Sequence, residues 1–425
     1  MIRNFGRNLS FRPARVAEPA SVGELVDVVR GSAKLRVAGS RHSWSPAIVT
    51  DGTLVSLARM DRVLDVDVHA RQVTVQGGIT LRALCRALAR RGLALANLGS
   101  IDAQTLAGAV ATGTHGTGRN FQCLASQVAR FELVDGTGAC RTFRRGEPGY
   151  FAALTGLGCL GVVHELELAV VPAFRLRAVT RTAPWPDVIA GIDARVRGHD
   201  HVKLWWFVGT DRAMVFENDR TDAPRGDRSV RRWLRDDLLS VAGYRALLAI
   251  GKLDRRALVP RINRALTAQY DRPLERVCDS HTGFLTPSPP VHREAEWAFD
   301  AARAGELLDA YRTLLASSGH TFNFIQEIRF SAADAFWLSP AYRRDSIWLS
   351  LYNIDSDARW RDQLAMFEAF ARAHGGRPHW GKEARFDAAY LDAQYEQLPA
   401  FRALARELDP QRRFVNDWAA GALRL

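Results

Sequence analysis

The amino-acid sequence predicts an α+β protein of two domains, the second built on an antiparallel sheet. Three observations lead there. The chain's 425 residues exceed what one simple core serves and suit two domains. About the first 170 residues alternate short β-type runs with helical ones, an α/β texture. From about 174 to 376 tryptophans gather (Trp205, Trp206, Trp233, Trp297, Trp337, Trp348 and Trp360). Strand-like runs such as "HVKLWWFVG" and "SIWLSLYNI" alternate there with long helices, as in antiparallel α+β domains. The stretch from "GGRPHWGKE" onward reads as helical, so the boundaries fall at 1–173, 174–376 and 377–425.

Each element has a local cause. "SVGELVDVVRGS" is an amphipathic helix with Ser21 as its N-cap, and "KLRVAG" is the strand after it. "TLVSL", "VLDVDV" and "RQVTVQGG" follow as strands split by polar turns. "TLRALCRALARRG" is a helix that begins at Thr80 and stops at Gly92, a residue type suited to the turn past a helix end. "ARFELVDGTGACRTF" reads as a hairpin with Asp135-Gly136 as its turn signal. "GVVHELELAVVP" is a strand closed by Pro172, and "TGFLTPSPPVHRE" is a proline-rich loop of the second domain.

Composition narrows the function. Apolar residues at 47% and charged residues at 24% are ordinary for a soluble protein. No apolar run approaches the roughly 18 residues of a membrane span, and "MIRNFGRNLSFRPARVAEPAS" lacks a secretory h-region. A cytoplasmic protein without stable membrane insertion is expected. Five scattered cysteines (Cys85, Cys123, Cys140, Cys159, Cys278) form no CxxC pair, which argues for reduced thiols and against a disulfide scaffold or a metal site. A net charge of +12, from 58 Lys+Arg against 46 Asp+Glu, invites a nucleic-acid partner. Yet the basic residues are spread along the chain, and the run "RSVRRWLRDD" is interrupted by Asp236 and Asp237 and reads as a solvated helix face. An anionic cofactor or substrate accounts for the excess at least as well, and no nucleic-acid partner is expected.

Three segments carry chemistry. "RVAGSRHSWSP" (Arg36 to Pro46) sets Arg41 and His42 in a glycine turn after a short apolar run. Such a turn is either surface punctuation or a backbone cradle for phosphate. "GSIDAQTLAGAVATGTHGTG" (Gly99 to Gly118) holds five glycines among small residues and hydroxyls. Small residues let backbone approach a flat ligand, and a flexible linker does not interleave Ala, Val and Leu in this way. "TGLGCLGVV" (Thr155 to Val163) has the same character. None is a Walker A loop, and the N-terminus lacks a strand–GxGxxG–helix unit. On the predicted strand "FIQEIRFS", Glu327 and Arg329 are two apart and share a face. Such a pair is commonly a surface ion pair, but the flanks Phe324, Ile325, Ile328 and Phe330 are apolar, which favours a cavity.

The order "AGSRHS", "GSIDAQTLAGAVATGTHGTG", "GLGCLGVV", "EIRF", "RPHWGK" resembles the vanillyl-alcohol-oxidase-type flavoproteins, within them the aldonolactone oxidoreductase and alditol oxidase branch. The likeness runs from about Asn4 to the C-terminus. It implies a two-domain FAD-binding fold of the vanillyl-alcohol oxidase type, with an antiparallel-sheet cap over the flavin.

The resemblance also implies roles. The Gly39, Ser40, Arg41 and Ser43 turn would contact the FAD pyrophosphate, and His42 would bond covalently to the flavin 8α-methyl. Gly99, Ser100, Thr105, Gly108, Ala109, Thr112, Gly113, His115 and Gly116 would be cofactor contacts, as would Gly158, Gly161, Val162 and Val163. His115 is otherwise read as structural. Relatives with two covalent bonds add a cysteine in the second segment; residues 99–118 hold none, so a single histidyl bond is expected. A small residue at Gly99 goes with oxygen use, Ala with dehydrogenase behaviour. Glu327 and Arg329 would touch substrate hydroxyls, and Lys382 would stabilise the anionic reduced flavin. His379 and Trp380 read as packing residues. Where alditol oxidases carry His and Thr, "SIWLSLYNI" offers Ser350 and Tyr352, which together with Thr105 would meet a polyhydroxylated small molecule. The bulkier Tyr disfavours an open-chain alditol and favours a sugar lactone or a larger polyol-bearing molecule. The implied reaction removes hydride from a CH–OH carbon to flavin N5, with Glu327, Arg329 or a relayed water assisting the proton. Oxygen would then reoxidise the flavin, giving hydrogen peroxide. The alternatives keep the fold: a dehydrogenase with another acceptor, or an alditol or natural-product tailoring oxidase.

Overall fold

A computed structural model describes residues 1–226, 240–268, 270–271, 273–286, 290–354 and 358–425. The basic run "RSVRRWLRDD" with Trp233, and residues 287–289 of the proline-rich loop, lie outside the described residues. The architecture is mixed α+β, dominated by three larger sheets.

The N-terminal part holds a small parallel sheet in which Thr53–Val55 lies between Arg15–Ala17 and Leu35–Val37. The helix Val22–Arg30 links two of these strands, and the Ser21 side chain accepts from the Glu24 N–H, as the sequence predicts. Leu25, Val28 and Val29 form its buried face. Beside it stands a five-stranded sheet in the order Cys140–Arg144, Val128–Val134, Val162–Ala169, Gln72–Gln76, Val63–Asp67, antiparallel throughout. The helices Leu81–Ala89 and Leu106–Ala111 follow Gln72–Gln76, but that strand takes Val162–Ala169 as a partner, far along the chain and reversed. Thr80 caps the first of these helices by accepting from the Ala83 N–H, and Gly92 adopts a left-handed φ of +69° just past its end.

The eight-stranded antiparallel sheet runs Leu274–Asp279, Arg175–Pro184, Arg212–Thr221, His201–Trp206, Gln326–Ser331, Ser346–Asn353, Arg293–Asp300, Arg377–Pro378. Its two-residue period sorts the side chains. Leu204, Trp206, Ile328, Leu349, Leu351 and Trp297 enter one apolar core with residues of the helices Trp185–Gly198, Ala304–Ser317 and Ala358–Ala373. The alternate positions on the same strands, among them Lys203, Trp205, Glu327, Arg329, Tyr352, Glu294 and Glu296, belong to the opposite face.

From the edge strand Arg377–Pro378 the chain runs into the helices Ala388–Gln394, Leu398–Leu408 and Asp417–Leu423. Leu391, Phe401 and Leu408 share a core with Val128, Phe131 and Leu166 of the five-stranded sheet. The last segment therefore ties the large sheet back to the N-terminal part. Among the described residues, no helix is long and apolar enough to cross a membrane.

Candidate active site

A cavity of about 540 Å³ is walled on one side by loops of the N-terminal part and on the other by the polar face of the large sheet. Residues from all three glycine-bearing segments line it, together with Glu327, Arg329, Tyr352 and Lys382.

The Gly39–Ser43 turn is pinned from two directions. The Phe5 N–H donates to the Arg41 carbonyl at 2.9 Å, and the Asn4 side chain donates to the Ser43 carbonyl at 2.8 Å. From the other side, the Ser43 hydroxyl and the Trp44 N–H both donate to the Gly381 carbonyl, at 3.0 and 2.9 Å. Arg41 takes a left-handed φ of +59°, uncommon for a residue with a side chain. Gly39 is required by proximity: a Cβ there would lie 2.1 Å from the Thr105 hydroxyl, and one at Gly108 would lie 2.8 Å from the same atom. Thr105 thus sits where two glycine turns close on each other. Gly158 and Gly161 adopt φ of +68° and +144°, conformations that favour glycine.

Behind the turn is Arg36, which the sequence reading passed over although it opens the first motif. It is buried and donates to the carbonyls of Ala47, Leu157 and Phe414. One guanidinium therefore fastens the His42 loop, the "TGLG" loop and the C-terminal segment together. Gly77 and Gly78, read only as a strand end, also line the cavity. A Cβ at Gly78 would stand 1.9 Å from the Leu57 carbonyl oxygen.

Not every residue of the motifs reaches the cavity. Ala109 is fully buried on the core side of the helix Leu106–Ala111. Gly116 packs against the Leu98 carbonyl and the Asn97 side chain, and Gly113 faces Pro340. Ser350 lies fully buried beside Glu296, to which its hydroxyl donates at 3.2 Å. These four expected contacts are absent from the lining, because each side chain or backbone face is taken up by protein.

The sheet face brings the charged groups together. Arg329 pairs with Glu296 and donates to the His115 carbonyl, while its Nε lies 3.4 Å from Glu327. Glu327 accepts from the Trp205 indole N–H at 2.8 Å and the Tyr352 hydroxyl at 3.3 Å. Lys382 lies 2.5 Å from Glu294 and 4.6 Å over the Trp44 ring. Burial opposes ionisation of Glu294, but Lys382 and His292 outweigh it and bring its carboxyl down to about 2. Burial likewise works against Glu296 and Arg329, whose mutual attraction keeps both charged. Glu294 and Glu296 were not legible beforehand. They alternate with Ala295 and Trp297, a pattern that reads as a solvated strand face.

His42 stacks on Phe5 with ring centroids 4.9 Å apart, and its Nδ1 is buried without a hydrogen-bond partner. Burial, then Lys382 and His292, lower its proton affinity, which leaves a neutral imidazole. His115 stacks on Trp348 at 3.7 Å, and its Nδ1 lies 2.9 Å from the Gly116 carbonyl. His379 accepts the Gly381 N–H at 2.9 Å and so shapes the loop that carries Lys382; burial lowers it to about 3. Trp380 is fully buried, its indole donating to the Leu338 carbonyl. Ligand-type atoms of His115, Glu296 and His379 lie within 4.8 Å of one another, and the Arg329 guanidinium already balances the single carboxylate among them.

Nine glycines line the cavity, an unpartnered imidazole nitrogen stands at it, and Arg329 and Lys382 supply cationic groups. These features fit FAD: backbone for the pyrophosphate, a histidine nitrogen free for a bond, and positive charge beside a ring that becomes anionic.

Comparison with known proteins agrees. Residues 166–421 match the D-arabinono-1,4-lactone oxidase family, and residues 13–144 match an FAD binding domain family. The L-gulono-1,4-lactone dehydrogenase of Mycobacterium tuberculosis (strain H37Rv) is 33% identical across 97% of this chain and 96% of its own. The alditol oxidase of a Streptomyces species is 32% identical across 98% and 97%. The L-gulonolactone oxidase of Bos taurus is 29% identical across 97% and 96%. In fold, the crystal structure of cholesterol oxidase from Brevibacterium sterolicum superposes with a TM-score of 0.84 over 99% of this chain and 96% of its own, at 17% identity.

Proposed function

Because the chain belongs to the D-arabinono-1,4-lactone oxidase family of FAD-dependent oxidoreductases acting on CH–OH donors, we propose that it oxidises a CH–OH group of a sugar lactone, with FAD bonded covalently to His42 and O2 as acceptor. The observation that carries this reading is the Glu327–Arg329 pair, facing the cavity beside Lys382.

FAD, when bound, supplies the hydride acceptor. The protein's part is to orient the donor and manage charge. Glu327 is the acceptor for the substrate hydroxyl and takes its proton, since Arg329 holds its own proton tightly and burial pushes the Tyr352 phenol up. Arg329 donates to the oxygen as the carbonyl forms. Lys382, held by Glu294, presents a fixed cation. Gly39, Ser40, Arg41 and Ser43 would hold the pyrophosphate.

Tyr352 supports the lactone: its ring fills space, and its hydroxyl is spent on Glu327, which suits a flat five-membered ring better than an open chain. Gly99 supports the oxygen acceptor, because it leaves its stretch of the cavity wall without a side chain. The second reading, a dehydrogenase, has its own support in the 33% identity to the mycobacterial L-gulono-1,4-lactone dehydrogenase. The division at 173 and 376 has support in the two main cores: one draws on residues up to Leu176 and from Trp380 on, joined by Phe284, Phe336 and Leu338 of the middle segment, the other on Trp185 to Ala371.

The test is direct. Purified protein is denatured in acid and filtered; yellow absorbance stays with the chain and is lost in His42→Ala. With L-gulono-1,4-lactone and air, peroxide forms in step with lactone consumed. Flavin in the filtrate removes the covalent bond, and turnover only with an added dye replaces oxidase by dehydrogenase.

A further inference from the structure

We infer that Lys203 is a positioning residue of this site, holding the Glu327 carboxylate ionised and aimed at the cavity; the inference rests on reading Glu327 as acceptor of the substrate hydroxyl. Lys203 does not line the cavity. Its side chain is only 13% exposed, with the ammonium 3.6 Å from Glu327 Oε1 and 3.4 Å from the Thr286 hydroxyl. It lies over the rings of Trp205 and Phe216, at 4.5 and 4.8 Å from their centroids.

Strand geometry explains the encounter. Trp205 is in register with Glu327 across the pair His201–Trp206 and Gln326–Ser331. Lys203, two residues earlier, projects from the same face. A lysine taken out of water costs free energy unless its charge is matched, and Glu327 is the carboxylate within reach.

Arg329 meets the other oxygen of the same carboxylate. Its Nε lies 3.4 Å from Glu327 Oε2 without a hydrogen bond, while its terminal nitrogens also reach Glu296 and the His115 carbonyl. Oε1 of Glu327 thus has the Trp205 N–H and the Lys203 ammonium, and Oε2 the Tyr352 hydroxyl and Arg329. Other charges act at one remove. Burial lowers the proton affinity of Lys203, Glu327 restores part of it, and Arg329 and Arg276 depress it further. From the strand Arg293–Asp300, Glu294 and Glu296 act on Tyr352, and Glu296 on Arg329.

If Lys203 fixes the charge of Glu327, the pH dependence of flavin reduction reports it. Anaerobic stopped-flow reduction by L-gulono-1,4-lactone is followed from pH 4 to 9 in the flavin-loaded wild type, Lys203→Met, Lys203→Gln, Lys203→Arg and Glu327→Gln. Removing the cation takes away an attraction for the charged carboxylate, so the acid limb moves up. Lys203→Met and Lys203→Gln show that shift, and Lys203→Arg returns the limb to its wild-type position. Thr286→Val, which frees the ammonium, moves the limb in the same direction by less. Glu327→Gln abolishes the limb, and adding Lys203→Met to it changes nothing further. An unmoved limb in both neutral variants, with the limb still lost in Glu327→Gln, overturns the role of Lys203 and leaves that of Glu327 standing. A limb that survives in Glu327→Gln removes Glu327 as acceptor, and the role of Lys203 with it.

Discussion

The Lys382 ammonium lies 2.5 Å from the Glu294 carboxylate, and both side chains are largely withdrawn from water, 15% and 2% exposed. A cation withdrawn from water needs a matched charge, and Glu294 supplies it. Its carboxyl is held at about 2, below the ordinary 4.5. A depressed acid contributes stability that is present above its unfolded value and lost as pH falls through the folded one, here between about 4.5 and 2. Glu294→Gln leaves Lys382 withdrawn from water without its partner, and is expected to lose about 3–5 kcal/mol at pH 7 and to show a flatter acid-unfolding profile, measured by urea titration at pH 3, 5 and 7.

Asp334 works in the opposite sense. Burial raises its carboxyl to about 6, against hydrogen bonds from Ser339 and the Phe336 N–H that favour the charge. A raised acid contributes stability below its unfolded value that is lost as pH rises through the folded one, from about 4 to 6. Asp334→Asn keeps an acceptor for Phe336 and removes the charge. The variant is expected to gain about 1–3 kcal/mol over wild type at pH 8 and little at pH 4. Thermal melts at the two pH values read this, and an equal effect at both would refute it.

Arg36 joins three segments through the carbonyls of Ala47, Leu157 and Phe414. Arg36→Met fills the space but leaves those oxygens buried without donors, at about 1–3 kcal/mol each before relaxation. The expected result is a loss of at least about 3 kcal/mol and poor flavin retention. Arg36→Lys recovers only part of it, since an ammonium does not reproduce the planar fork. Flavin-to-protein absorbance ratios and denaturant midpoints provide the measurement.

At Gly99, an added Cβ would stand 3.3 Å from the His115 carbonyl oxygen and 3.4 Å from the Thr114 methyl. That contact is tight and tolerable. Gly99→Ala is expected to fold, to be reduced by lactone at nearly the wild-type rate, and to react with O2 at least about tenfold more slowly, roughly 1.4 kcal/mol in barrier. Stopped-flow reoxidation of the reduced enzyme measures it; an unchanged oxygen rate counts against Gly99 as the determinant of the acceptor.

Much of the site was legible because its signals are local. Glu327 and Arg329 are two apart on one strand, and the glycine turns announce themselves by composition. The supporting layer was not legible, because its meaning depends on what lies across the sheet. Lys203, Glu294 and Glu296 each alternate with apolar residues, as a solvated strand face does, and only the packing reveals that the polar side is roofed. The hairpin at Asp135 makes the same point on a smaller scale. Its Asp-Gly signal is real, yet the left-handed residue of the turn is Gly138, with φ +79°. Gly136 is small for another reason: a Cβ there would meet Asp409 at 2.3 Å, a neighbour far away in sequence. Strand direction in the first 170 or so residues is likewise decided by distant partners such as Val162–Ala169, which a local reading does not reach.

The bond from Arg36 to the Phe414 carbonyl, with the Asn416 side chain donating to the Val49 carbonyl at 2.8 Å, closes the base of the His42 loop with residues more than 360 positions away in sequence. Bringing such distant segments together costs chain entropy that no local contact repays. The glycine turns are therefore local in sequence, whereas the clasp that holds them is a property of the finished fold.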